Sequence, residues 1–403
     1  MKKEISYLIM LLFVVSMLAA GCGNTESVQT EKGSEALQSE QENEGQKAED
    51  ADIITPTSEL VELEDGLFAV KYTGDYKLDK FLEQGGAASD ADVMKFLTKH
   101  LFSGKSVLEF FGSMFGCSTL SVQDAEGSYI FGRNFDWNSC DALVVSAEPE
   151  EGYASVSTVN MDFIQAAAGM DLESLPDEMK TMAALYAPLD GMNEKGLCVS
   201  VNMIEDSATI RQETDKKDIT TTTAVRLLLD QAADVDEALE LLKRNDLHAS
   251  MGMMVHFALA DAKGNAVAVE YVDNEMVVTD TPVVTNFYLA EGKKHGIGTE
   301  QSHTRYEILT ELLKEKQTMD MQGVRDALDR VSKDNFGEFE STEWSIVNAG
   351  GGWSYVGTMH ESFPAAMELS KKGYRIKETG DSYRISCLRW SGAWIWSGDW
   401  HCC

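Results

Sequence analysis

Basic residues are scarce in this chain of 403 residues: 34 Lys and Arg stand against 67 Asp and Glu, a formal net charge of −33. So acidic a surface repels phosphate backbones, which argues against nucleic acid as a partner. After the first twenty residues no apolar run is long enough to cross a membrane, which excludes an internal transmembrane helix. Cysteine is sparse, seven residues with no CxxC pair, too few for a disulfide framework. No internal repeat is present, which argues against a solenoid or propeller. What remains is ordinary globular composition, 43% apolar and 25% charged, enough for one large domain or two average ones.

The N-terminus carries an address. Lys2 and Lys3 precede the apolar stretch SYLIMLLFVVSMLAA, followed by Gly21 and Cys22. A charged start, an apolar centre and small residues before a cut are the marks of a secretory signal. Cys22 directly after Ala-Ala-Gly resembles a bacterial lipobox, which implies removal of residues 1–21, a lipid on Cys22 and anchoring to the extracytoplasmic face of the cell membrane. Residues 23 to 55 hold nine acidic and two basic residues and no aromatic, so they read as a disordered acidic tether over 22–55.

Folded patterning starts near Leu60. Ser89 with Asp92 resembles a capping box opening a helix through Val93, Phe96 and Leu97. From Cys117 strands dominate: CSTLSV and SYIFGRNF flank Asp124-Ala125-Glu126-Gly127 as a hairpin, and LYAPLD and LCVSVNM flank GMNEKG. Residues 221 to 245 read as two helices, the second opened by Asp234 and Glu237. Strands return at HFALAD, AVAVEYV, MVVTD and VVTNF, followed by helices near 302–316 and 320–332 and a strand at WSIVN. Strand blocks alternating with helix pairs predict an α+β fold of antiparallel sheets covered by helices. The end is atypical: Trp390, Trp394, Trp396 and Trp400 crowd beside His401, Cys402 and Cys403. Two adjacent cysteines suit tetrahedral metal ligation poorly and no fourth ligand is evident, so no metal site is assigned there.

The chemistry-bearing cluster lies in the first hairpin. With the turn centred between Ala125 and Glu126, Cys117 falls opposite Asn134, close to Arg133 and Asp136. A guanidinium stabilises a thiolate, and a carboxylate orients an amine or the arginine. A flat strand would send Arg133 and Asp136 to opposite faces, so both reaching the thiol requires a bend, a bulge or a strand end. A buried structural cysteine under a surface Arg–Asp pair is the competing reading.

The stretch FGCSTLSVQDAEGSYIFGRNFDW resembles the nucleophile region of the choloylglycine hydrolase family, a branch of the N-terminal-nucleophile hydrolases that includes bile-salt hydrolases and penicillin V acylases. GMNEKGLCVSVNM, VVTN and SHTRY are similar to three further family signatures in the same order, over roughly residues 117 to 347. The resemblance implies a four-layer αββα sandwich and the catalytic residues Cys117, Arg133, Asp136, Asn202, Asn286 and Arg305, with Asn202 and Asn286 as oxyanion donors. It also implies autocleavage between Gly116 and Cys117, which makes residues 56–116 a propeptide and 117–403 the catalytic domain, with 348–403 departing from the family. Many bile-salt hydrolases expose the cysteine by losing the initiator Met, whereas 116 residues precede it here.

A free α-amine titrates near 7.7–8.0 and a thiol near 8.5, so the amine of Cys117 can take the thiol proton without a histidine. The implied activity is hydrolysis of linear amide bonds in N-acyl compounds of bile-salt, penicillin V or N-acyl amide type, with no cofactor and no metal. Acyl transfer to an amine uses the same nucleophile. A Cys–His protease with His248, His256 or His303 as base, and a non-catalytic ligand-binding lipoprotein, are readings from other classes. The expected partners are a small N-acyl amide and, through Cys22, the membrane; association with further copies of the chain stays open.

Overall fold

The computed structural model describes residues 57–64, 66–101, 116–137, 141–162, 176–332 and 341–349, together with strand segments at 353–359, 365–370, 373–378, 384–388 and 396–399. The signal region, Cys22, the acidic tether, Cys140, Trp390, Trp394, Trp400, His401, Cys402 and Cys403 lie outside the described residues.

Two sheets dominate. The larger has nine strands: β1 (Val61–Glu64), β2 (Leu67–Thr73), β5 (Ala142–Glu148), β6 (Ser155–Asn160), β7 (Asp190–Asn193), β8 (Cys198–Met203), β11 (Val255–Ala260), β12 (Ala266–Val272) and β13 (Glu275–Asp280), in that spatial order. The smaller runs β14 (Val283–Val284), β3 (Gly116–Gln123), β4 (Tyr129–Trp137), β15 (Ser341–Asn348) and β16 (Trp353–Met359). Pairing is antiparallel except between β2 and β5, and in the short pair β9 (Lys217–Thr220) and β10 (Asn245–His248). Four strands at 365–399 form a separate antiparallel sheet.

Helices cover both outer faces. After α1 (Leu78–Glu83) and α2 (Asp90–Leu101), α3 (Asp177–Tyr186) packs on β5 and α4 (Thr221–Gln231) on β7 and β8, with α5 (Val235–Lys243) beside α4. On the other side α6 (Glu300–Glu315) packs on β3 and β14, and α7 (Met321–Asp329) on β4 and β15. The start of α4 follows from its threonines: the Thr220 side chain accepts from Thr223 N–H while the Thr223 hydroxyl accepts from Thr220 N–H, satisfying two orphan donors reciprocally.

Strand alternation produces the layering. Val199 and Val201 join the apolar core under α4. Their neighbours Cys198, Ser200 and Asn202 face the smaller sheet, where Ser200 and Asn202 bond Thr119. Phe131, Met192, Ala258, Ala268 and Val284 fill the space between the sheets. The expected αββα sandwich is the observed architecture. The strand expected at LYAPLD starts later: Leu185 and Tyr186 close helix α3 rather than opening a strand, and β7 begins only at Asp190.

Residues 57–101 are woven into this core. β2 pairs with β5 through seven consecutive residues. Leu67, Tyr76, Phe81 and Leu97 are each 1% exposed, and full burial of a Leu or Phe is worth about 1.5–3 kcal/mol. Phe81 meets Phe96 edge-on at 5.2 Å and Tyr186 at 5.7 Å. Tyr76 donates to Asp230, whose carboxylate also holds the buried Arg226 guanidinium at 2.7 Å.

Candidate active site

The strand that carries Cys117 and its partner fix the geometry. β3 and β4 pair without interruption from Gly116↔Asp136 to Gln123↔Tyr129, so Cys117 faces Phe135 rather than Asn134, one residue away from the expected register. The loop explains the shift. Asp124 N–H bonds the Ser128 carbonyl at 2.8 Å and Gly127 adopts φ of 89°, which makes a three-residue loop closed by a left-handed glycine instead of a two-residue turn.

Cross-strand partners share a face, so Cys117, Thr119, Arg133 and Phe135 point toward the nine-stranded sheet, while Gly116, Ser118, Asn134 and Asp136 point toward α6 and α7. The bend expected to bring Arg133 and Asp136 together at the thiol is absent. The two residues instead serve different ends of Cys117. Arg133 Nη2 lies 3.6 Å from the sulfur and also donates to the Val201 carbonyl at 3.0 Å. Asp136 is the partner of Gly116, beside the Gly116–Cys117 peptide.

Arg305, on α6, ties this face together. Its Nη1 donates to the Cys117 carbonyl at 2.9 Å and to Ser118 Oγ at 3.0 Å, its Nη2 donates to Asn286 Oδ1 at 2.9 Å, and Nη1 lies 3.7 Å from Asp136 Oδ2. Asn286 Oδ1 also accepts from the Cys117 backbone N–H at 2.8 Å, and Asn286 Nδ2 donates to the Met203 carbonyl at 2.7 Å. Two donors on one side and a carbonyl on the other fix the orientation of this amide.

Asn202 is not brought to the thiol. Its Nδ2 donates to Thr119 Oγ1 at 3.0 Å and to the Val284 carbonyl at 3.2 Å, so both amide protons are engaged two residues along from Cys117. The adjoining Met203 instead presents its backbone N–H to the sulfur. In this arrangement Asn202 joins β8 to β3 and β14, next to Met203.

Sequence reasoning also missed Asp190. On β7, its Oδ2 pairs with Arg133 Nη1 at 2.9 Å and accepts from Ser345 Oγ at 3.0 Å, while its Oδ1 accepts from Thr158. A buried guanidinium demands such a partner, and the Asp-Gly beginning DGMNEKG was the available signal.

The three histidines considered as bases are occupied elsewhere. His248 pairs with Asp218 at 2.7 Å, and His303 faces the Gly296 carbonyl at 2.9 Å. His256 Nε2 faces the Thr285 carbonyl at 2.7 Å and Nδ1 faces Glu270 at 3.1 Å. That pair braces the segment carrying Asn286, since Glu270 also accepts from the backbone N–H groups of Leu289 and Ala290. Ser302 Oγ completes the brace by accepting from Asn286 N–H at 2.6 Å.

The electrostatics of Cys117 are set by burial against its charged neighbours. Burial pushes the Cys117 thiol up to about 11; Arg133, the Met203 N–H and Arg305 pull it down and Asp136 pushes it up, without reversing the effect of burial. Around the sulfur sit Phe135, Trp137, Leu189 and Met203, with Met251 and Met253 packed against them. A separate cavity of about 750 Å³ lies between the 209–215 loop, Ala88, Asp218, His248 and Ala249. None of the six expected catalytic residues lines it.

Residues 117–288 match the family model described as linear amide C-N hydrolases, choloylglycine hydrolase family. Among solved structures, a mutant conjugated bile acid hydrolase from Clostridium perfringens is 15% identical, with a TM-score of 0.42 over 68% of this chain and 97% of its own. Penicillin V acylase from Agrobacterium tumefaciens is 15% identical, with a TM-score of 0.44 over 66% of this chain and 92% of its own. No curated protein sequence matches. The segment from Cys117 through Tyr288, which carries most of the site, thus matches the choloylglycine hydrolase family of linear amide C-N hydrolases.

Proposed function

We propose that this chain is an autoprocessing cysteine amidohydrolase that cleaves the linear amide bond of N-acyl compounds with an apolar acyl group. One observation carries the reading: the surroundings of Cys117 are built around its nitrogen as much as its sulfur. Asn286 Oδ1 accepts from that nitrogen, Asp136 faces the preceding residue, and Arg305 holds the carbonyl. A structural cysteine has no need of such an arrangement. A nucleophile whose own amine serves as the base does.

In processing, the Cys117 sulfur attacks the Gly116 carbonyl and the thiol proton passes to the departing nitrogen, giving a thioester and a free α-amine. Water then cleaves the thioester and leaves a carboxylate on Gly116. In turnover, the amine takes the thiol proton, sulfur attacks the substrate carbonyl, and the proton goes to the leaving nitrogen. Water releases the acyl group. In this reading Asn286 Nδ2 and the Met203 N–H donate to the developing oxyanion, and loss of one such donor costs about 2.7–4 kcal/mol of transition-state stabilisation. Arg133, held by Asp190, stabilises the thiolate. The apolar surroundings of the sulfur suit an apolar acyl chain.

Export and lipidation at Cys22 belong to the same proposal and rest on the N-terminal sequence. The test is to trap the acyl-enzyme with an N-acyl p-nitroanilide at low pH and map the adduct. A single acyl group on a peptide beginning at Cys117 is the expected result. Turnover that survives Cys117→Ala would overturn the reading.

A further inference from the structure

The cut at Gly116 would sever residues 57–101 from the catalytic chain, yet these residues are built into its core. β2 is an inner strand, held between β1 and β5. Helices α1 and α2 bury Phe81, Phe96 and Leu97 in the same apolar cluster as Met182, Leu185 and Leu228. The Tyr186 hydroxyl donates to the Tyr76 carbonyl at 2.7 Å, and Tyr76 bonds Asp230. Removing this segment would open the cluster to water and leave the parallel edge of β5 unpaired.

The segment also reaches toward the nucleophile. Asp90, at the start of α2, accepts a hydrogen bond from Met251 N–H at 2.7 Å. Met251 sits in a short helical turn (Ser250–Gly252) with φ of 55°, left-handed and unfavourable for a residue with a side chain. Its side chain packs against the cluster of Cys117, Phe135, Trp137, Leu189 and Met203. Asp90 therefore holds a strained turn that forms part of the apolar wall beside the sulfur.

We propose that residues 57–101 remain after cleavage as a non-covalent subunit of the enzyme, and that this subunit supplies Asp90 as a positioning residue for the acyl-side wall at Met251. The proposal rests on the autocleavage reading, but its first test does not. In full-length Cys117→Ala protein, a site-specific protease sequence is inserted between Leu101 and Gly116 and then cut under native conditions. Gel filtration should return both fragments in one peak, separating only in denaturant. Fragments that elute apart without denaturant overturn the retained subunit, whether or not the natural chain processes itself.

The second arm compares Asp90→Ala with Asp90→Asn. The amide oxygen of asparagine still accepts from Met251 N–H, whereas alanine leaves the turn unheld. With a medium-chain acyl p-nitroanilide, Asp90→Ala should raise KM about tenfold with kcat within twofold, and Asp90→Asn should restore the original KM. Equal KM in all three proteins overturns the role of Asp90. Should the wild-type chain hydrolyse no amide, the parent reading fails. The Met251 methyl resonance in the Cys117→Ala background then decides: it should shift with Asp90→Ala and return with Asp90→Asn, and an unmoved resonance overturns the positioning role.

Discussion

Burial places the Cys117 thiol at about 11, so its thiolate is scarce at neutral pH. The proposed processing should therefore accelerate with alkalinity, by about tenfold per pH unit from 7 toward 10, as the thiolate fraction grows. Following the intact precursor by gel densitometry across that range checks it; a flat profile would mean that thiolate formation does not limit the step. Asn286→Ala removes the acceptor for the Cys117 nitrogen together with one proposed oxyanion donor, and kcat/KM should fall by at least about 100-fold. Asp190→Ala leaves Arg133 buried beside an emptied site, with an expected stability loss of about 3–5 kcal/mol in urea denaturation. Legibility at this scale was uneven. Cys117, Arg133, Asp136, Asn286 and Arg305 announced themselves through side chains in recognisable strings. Met203 did not, because a backbone N–H has no residue signature, and Asp190 was hidden as a turn-like Asp-Gly.

Single elements supply the precision that those residues need. The β3–β4 hairpin was legible as a hairpin, but its register depended on Gly127 adding a third loop residue. That one residue decides whether Asn134 or Phe135 faces the thiol, and Asp136 meets Gly116 only in the observed register. The segment after β14 that carries Asn286 hangs from the His256–Glu270 pair and from Ser302. Burial alone would raise the Glu270 carboxyl, but the bond from His256 and the N–H groups of Leu289 and Ala290 hold it below the ordinary value. A carboxylate lowered in the folded state contributes stability above its unfolded value, and that contribution fades as pH falls through the folded one. Glu270→Gln should accordingly lower the melting temperature at pH 7 while changing it little near pH 2. An equal loss at both pH values would show that the charge of Glu270 is not what holds the segment.

Across the whole molecule, two sheets meet face to face and Cys117 points from the smaller sheet toward the larger. The αββα order was readable because helix and strand periodicities alternate along the chain in blocks. The parallel pairing of β2 with β5 was not, since residues 57–101 carry no mark of which strand they join. That pairing alters the meaning of the N-terminal third: a retained subunit lipidated at Cys22 would keep the catalytic part at the membrane after cleavage. The central claim is that Cys117 becomes an N-terminus, and intact mass with N-terminal sequencing tests it most directly. The account predicts a catalytic chain beginning at Cys117 in the wild type and an uncut chain in Cys117→Ala. A wild-type chain that stays whole while hydrolysing amides would contradict it.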